Sequence, residues 1–176
     1  MRPIWAVRVL AVIAVLGLTI VSTSADQGNT ESVSAKLQGF NEVSPVLSNG
    51  TGSFTATITA TTLSYTLTFS GLSGSATQAH IHFGQPRVGG GVFLWLCGSV
   101  LIPGPVGTPK CPAPGVTLKR SGVTAADIQA IAAQNVTAGD FAGVIRIIRS
   151  GNAYANVHTT KVPAGEIRGQ IRSERD

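Results

Sequence analysis

The sequence predicts an all-β domain, a sandwich or flattened barrel of about eight strands with one short inserted helix. Two observations carry this. Apolar residues alternate with polar ones through most of the chain after Ser32, and clusters of Gly, Asn, Ser and Pro break the alternation at short intervals. Only one stretch carries a helix-start signature, so the helix is an insertion in a β framework.

The elements follow in order. Val33, Ala35 and Leu37 alternate with polar residues up to Gly39. Asn41 to Pro45 and Ser48-Asn49-Gly50 are turn chemistry, and Glu42 is expected to fix the first of these turns. Phe54, Ala56 and Ile58 share one face of the next strand. Leu63, Tyr65, Leu67 and Phe69 do so in the strand after a hairpin at Ala60-Thr61-Thr62. Gly71 to Gly74 turns the chain into Thr77–Gly84. Gln85 to Gly91 is a glycine-rich connection with Arg87. A phosphate cradle there would want a Lys-Ser/Thr pair and a following helix, and neither is present, so a hairpin loop is expected. Val92 to Cys97 is an apolar strand, and Gly98 to Gly115 a glycine- and proline-rich loop. Thr124 to Gln134 is the predicted helix, with Thr124 as N-cap, Asp127 three residues on and Ile128 and Ile131 as its stripe. Phe141 to Ile148 reads as a strong strand, Tyr154–Thr159 as another, and Glu166–Arg172 as the last, with turns at Gly151-Asn152 and Pro163-Ala164-Gly165.

The chain has 176 residues, enough for one domain with a sizeable core. Its first 25 residues read as a signal peptide: Arg2 and Arg8, an apolar run from Val9 to Val21, then Ser22-Thr23-Ser24-Ala25. The apolar run is short for a membrane span. Residues 26–31 are polar and expected to be disordered, leaving 32–176 as the folded domain. A secreted or periplasmic location follows, with no membrane attachment after cleavage. Loss of Arg2 and Arg8 leaves eleven basic and eight acidic residues, scattered and without interleaved aromatics, so no nucleic-acid surface is expected. In an exported chain Cys97 and Cys111 are expected to pair, with a metal-ligand role for Cys97 as the alternative.

The chemistry concentrates in three histidines, the only ones in the chain. His80 and His82 stand at i and i+2 of a strand, so their rings share a face roughly 7 Å apart at Cα, within reach of one metal ion. His158 lies in another strand-like run. Neutral imidazole is a common metal ligand, and three of them with an open position suit Cu(II) or Zn(II), copper being favoured by the affinity order. A blue-copper centre is excluded, because Met1 is the only methionine and leaves with the signal, and both cysteines are expected to be oxidised. Glu166 is a candidate to orient His158 by accepting its other N–H, the competing reading being a surface pair with Arg168. Asp140 could play a similar part, or simply make a turn. No Gly-x-Ser-x-Gly elbow is present for serine-hydrolase chemistry. Asn49-Gly-Thr and Asn135-Val-Thr fit the glycosylation sequon.

Leu37-Gln38-Gly39 with Asn41-Glu42-Val43, then Ala79 to Gly84, then Tyr154 to Thr159 and Pro163 to Ile171, together resemble the CHRD domain, the module named after chordin and found in secreted bacterial proteins. A more distant likeness is to copper/zinc superoxide dismutases. It implies a Greek-key β-sandwich with His80, His82 and His158 at three copper-ligand positions. The dismutase zinc ligands and fourth copper histidine have no counterpart, and Arg168 is the nearest match to the arginine that guides superoxide. The resemblances imply three alternatives. One is a copper-binding module that sequesters or delivers the ion without catalysis. Another is a dismutase-like copper enzyme. The third is a module for an extracellular protein partner, with structural histidines.

Overall fold

The computed structural model describes Met1 and residues 30–174; the expected signal segment and residues 26–29 lie outside the described residues. The domain is all-β, built on nine antiparallel strands in one curled sheet: β1 (Glu31–Gln38), β2 (Thr51–Ile58), β3 (Leu63–Ser70), β4 (Ala76–Phe83), β5 (Gly91–Gly98), β6 (Leu118–Val123), β7 (Ala153–Thr159), β8 (Ile167–Gln170) and β9 (Arg172–Ser173). The path runs β5-β4-β7-β8-β1-β2-β3-β6, and β9 pairs with β1. Non-consecutive strands β3 and β6, and β4 and β7, are neighbours, so the chain makes Greek-key crossovers.

Alternation explains the core. Val33, Ala35 and Leu37 of β1, Phe54 and Ile58 of β2, and Leu63, Tyr65, Leu67 and Phe69 of β3 point inward. They share one apolar cluster with Ala79 and Ile81 of β4, Phe93 and Leu96 of β5, Ala155 and Val157 of β7 and Ile167 of β8. The Tyr65 hydroxyl donates to the Leu96 carbonyl, tying β3 to β5 across that core. Glu31, expected in the polar N-terminal stretch, begins β1 and pairs with Arg149 at 2.7 Å.

Two sequence expectations about elements are corrected. Phe141–Ile148 is not a strand but the helix α1 (Phe141–Arg149). Phe141, Val144, Ile145 and Ile148 fall at i, i+3, i+4 and i+7 and are its buried face, and Asp140 caps it by accepting from the Gly143 amide at 2.8 Å. The β-branched residues suggested a strand, but their spacing is helical. Thr124–Gln134 is not a continuous helix but two 3-10 turns, Ala125–Asp127 and Ala132–Gln134. The Thr124/Asp127 capping box forms as expected, yet Ile128 is already extended and the Gln129 amide donates to the Phe93 carbonyl of β5. Pairing to the sheet thus takes the bond a second helical turn would need. Leu118–Val123, which the sequence reading leaves unassigned, is the edge strand β6 on β3.

Cys97 and Cys111 form a disulfide, which removes Cys97 from the possible metal ligands. It closes the loop between β5 and β6 across a sequence separation of 14. Replacing both cysteines by Ala is expected to lower the unfolding free energy by about 3 kcal/mol, the loop-closure entropy of such a span, as read by urea denaturation.

Candidate metal centre

Strands β4, β7 and β8 lie side by side with His80 opposite Asn156, Asn156 opposite Arg168, His82 opposite Tyr154 and Gln78 opposite His158. Because side chains alternate, Ala79, Ile81, Ala155, Val157 and Ile167 fill the core while His80, His82, Tyr154, Asn156, His158 and Arg168 share the other face. That face is nonetheless buried: His80, His82 and His158 are 3, 8 and 7% exposed. The three expected rings therefore meet, although 78 residues separate His80 from His158. One ligand atom from each lies within 4.8 Å of the others, so the cluster could hold a metal ion.

Two rings are oriented by backbone carbonyls. His82 Nδ1 lies 2.9 Å from the Gly90 oxygen, and His158 Nδ1 lies 2.9 Å from the Pro163 oxygen. In the neutral ring that nitrogen carries the N–H, leaving Nε2 as a bare acceptor turned toward the cluster. The first contact requires glycine at position 90, since a Cβ there would overlap the Phe83 backbone. His80 Nδ1 lies 3.2 Å from His158 Nε2, and its own Nε2 is buried without a partner. Trp95 of β5 meets the His80 ring edge-on, with 4.3 Å between centroids.

A second row supports the cluster. Tyr154 stacks on His82 at 4.6 Å with the rings 5° from parallel, and the Arg168 guanidinium sits 3.4 Å over the other side of Tyr154. Arg168 also donates to the Gln85 and Val88 carbonyls, fastening the loop after β4 over the site. It thus makes no hydrogen bond to the histidines, acting on them through Tyr154, that loop and its charge, which disfavours protonation of His82.

Glu166 does neither thing expected of it. It is fully buried and accepts from Ser48 at 2.6 Å, from the Ser73 amide and hydroxyl at 2.7 and 2.8 Å, and from Thr159 at 2.7 Å. It pins loops to the end of β7, and neither orients His158 nor pairs with Arg168. Burial opposes its ionisation, but these hydrogen bonds outweigh that and hold the carboxyl below its usual range. Asp140 is the cap of α1. Glu42 closes the first turn through its amide, which donates to the Gly39 carbonyl, while its buried side chain faces Asn156 and Arg168.

Sequence reasoning missed Tyr154, Asn156 and Trp95. The parity of Tyr154, Asn156 and His158 at i, i+2 and i+4 was signal enough for the first two. Trp95 needed the pairing register of β5, which its uniformly apolar sequence does not encode.

A family model, the CHRD domain, matches residues 33–171. The chain belongs to the CHRD family. No curated protein and no solved structure matches it, so the dismutase likeness rests on the histidine motifs alone. The CHRD match spans all the strands that build the cluster, from β1 through β8.

Burial holds all three imidazoles neutral. Desolvation, with the neighbouring rings, pushes His80 down to about 2; desolvation takes His82 down to about 4 against the opposing Gly90 bond, and lowers His158. Glu42 is pushed up to about 7 by burial, against the Arg168 charge and the Asn156 amide. The unfolded histidines take up protons below pH 6.5 while the folded ones refuse them, so their contribution is complete above 6.5 and is lost as pH falls, through about 4 for His82 and about 2 for His80. Glu42 acts in the opposite sense, stabilising below pH 4.5 and losing that contribution as pH rises through about 7. In metal-free Glu42→Gln, where the histidines dominate between pH 5 and 7.5, urea denaturation is expected to give lower stability at pH 5 than at pH 7.5.

Proposed function

We propose that this CHRD domain is exported and binds one copper ion through His80, His82 and His158, holding or delivering the ion rather than turning over a substrate. The observation that carries the reading is the convergence of the three rings, with His82 and His158 each tied at Nδ1 to a carbonyl so that Nε2 is left for a metal. Copper is favoured over zinc by the affinity order at a nitrogen site, and the disulfide removes the thiolates that would select other metals. The Cys97–Cys111 bond also fits an oxidising compartment. A holding role is supported by burial and by Glu166: the three rings are almost wholly buried, and the Glu166 carboxylate is committed to Ser48, Ser73 and Thr159.

A second reading has its own observation. The ring–carbonyl bonds of His82 and His158 fasten two loops to the sheet, which is what structural histidines in an extracellular protein-binding module would do.

Isothermal titration separates the two. The copper reading expects uptake of one Cu(II) per chain, accompanied by quenching of Trp95 beside His80, and a weakening of about 100-fold or more in each single His→Ala variant. Absence of Cu(II) uptake, together with a large loss of metal-free stability in those variants, would instead leave the histidines as loop fasteners.

A further inference from the structure

We propose that the side-chain oxygen of Asn156 is the fourth ligand atom of this site, an assignment that rests on the three-histidine reading. A neutral imidazole has one N–H and one lone pair. His82 and His158 direct their Nδ1–H at the Gly90 and Pro163 carbonyls, so each presents a lone pair at Nε2. Both lone pairs meet the same atom, Asn156 Oδ1, at 3.0 and 3.1 Å. That oxygen is itself an acceptor, so neither contact has a hydrogen to share. Turning the amide over would bring its N–H groups to the rings but set its oxygen toward Glu42, which can donate to it only as the protonated acid. As it stands, Asn156 Nδ2 and Glu42 Oε1 lie 2.9 and 2.8 Å from where a Cβ on Gly165 would be, and Oε1 has no hydrogen-bond partner. Gly165, at φ +125°, leaves room for this approach.

A cation bound between the rings would engage these lone pairs together, without the amide being turned over. Metal–ligand bonds of about 2.0–2.1 Å set neighbouring ligand atoms roughly 2.9–3.4 Å apart, from right-angle to tetrahedral geometry. The contacts His82 Nε2–Asn156 Oδ1, Asn156 Oδ1–His158 Nε2 and His158 Nε2–His80 Nδ1, at 3.0, 3.1 and 3.2 Å, all fall in that interval. Asn156 occupies the centre of the arrangement, on β7 opposite His80 and two residues before His158. Three nitrogens and one amide oxygen suit Cu(II) or Zn(II). They also close the coordination shell, as retention of an ion requires, since catalytic sites keep a position open.

The test is titration of the purified chain and its Asn156 variants with Cu(II) and Zn(II), followed by azide. Asn156→Leu, similar in size but without a donor, is expected to bind about 10- to 100-fold more weakly and to take up azide at the freed position. Asn156→Asp, which keeps an oxygen, is expected to bind at least as tightly as wild type. Wild-type affinity in Asn156→Leu, or equal azide uptake by the wild type, overturns the assignment and leaves the histidine site standing. A wild type that takes up neither metal overturns both. If the Leu variant fails to fold, a crystal structure of the Zn(II)-loaded wild type decides: Oδ1 bonded to the ion supports the assignment, and Oδ1 beyond about 3 Å from it refutes it.

Discussion

The antiparallel pairing of β4 with β7 is the constraint on which the rest depends. Its register sets Ala79 against Val157 and Ile81 against Ala155 on the core face, and by the same alternation sets His80 beside Asn156 and Gln78 beside His158 on the other. A slip of one residue would drive histidines into the apolar core and expose Ile81. The hydrophobic demand of the core therefore fixes the position of the polar cluster. Burial of Ala79, Ile81, Ala155 and Val157, each at 0% exposure, is what holds rings from distant parts of the chain at hydrogen-bonding distance.

A polar face inside a small domain is costly unless its groups are satisfied. Loops do most of this work here. Gly90 and Pro163 supply carbonyls to two rings, Arg168 clamps the Gln85–Val88 turn, and Glu166 gathers Ser48, Ser73 and Thr159 at the far end. Satisfaction is incomplete at the centre, where His80 Nε2 and Glu42 Oε1 lack partners and acceptors crowd around Asn156; among the described residues Gln170 Oε1 on β8 is the other buried side-chain atom without one.

The sequence was most informative where alternation and turn chemistry agreed. The strands of the first half, the His80/His82 face, the cysteine pair and the Pro163–Gly165 turn were all legible. Phe141–Arg149 was misread because Val and Ile favour strands when taken singly, whereas their spacing around the helix decides the outcome. The Thr124 cap promised a helix that tertiary pairing to Phe93 cut short. Glu166 and Arg168, two residues apart, suggested an exposed pair, but β8 lies between β7 and β1 and both are buried with other partners. Asn156 carries no motif of its own; its position between the rings follows only from the strand register.

The central claim is that three imidazoles surround one ion, and electron paramagnetic resonance of the Cu(II)-loaded chain addresses it directly. With histidine labelled by ¹⁵N, the account predicts hyperfine coupling to three imidazole nitrogens in the wild type, falling to two in each single His→Ala variant. A copper signal whose couplings are unchanged when His158 is replaced would contradict it, because the ion would then sit away from the place where β4 and β7 bring the rings together.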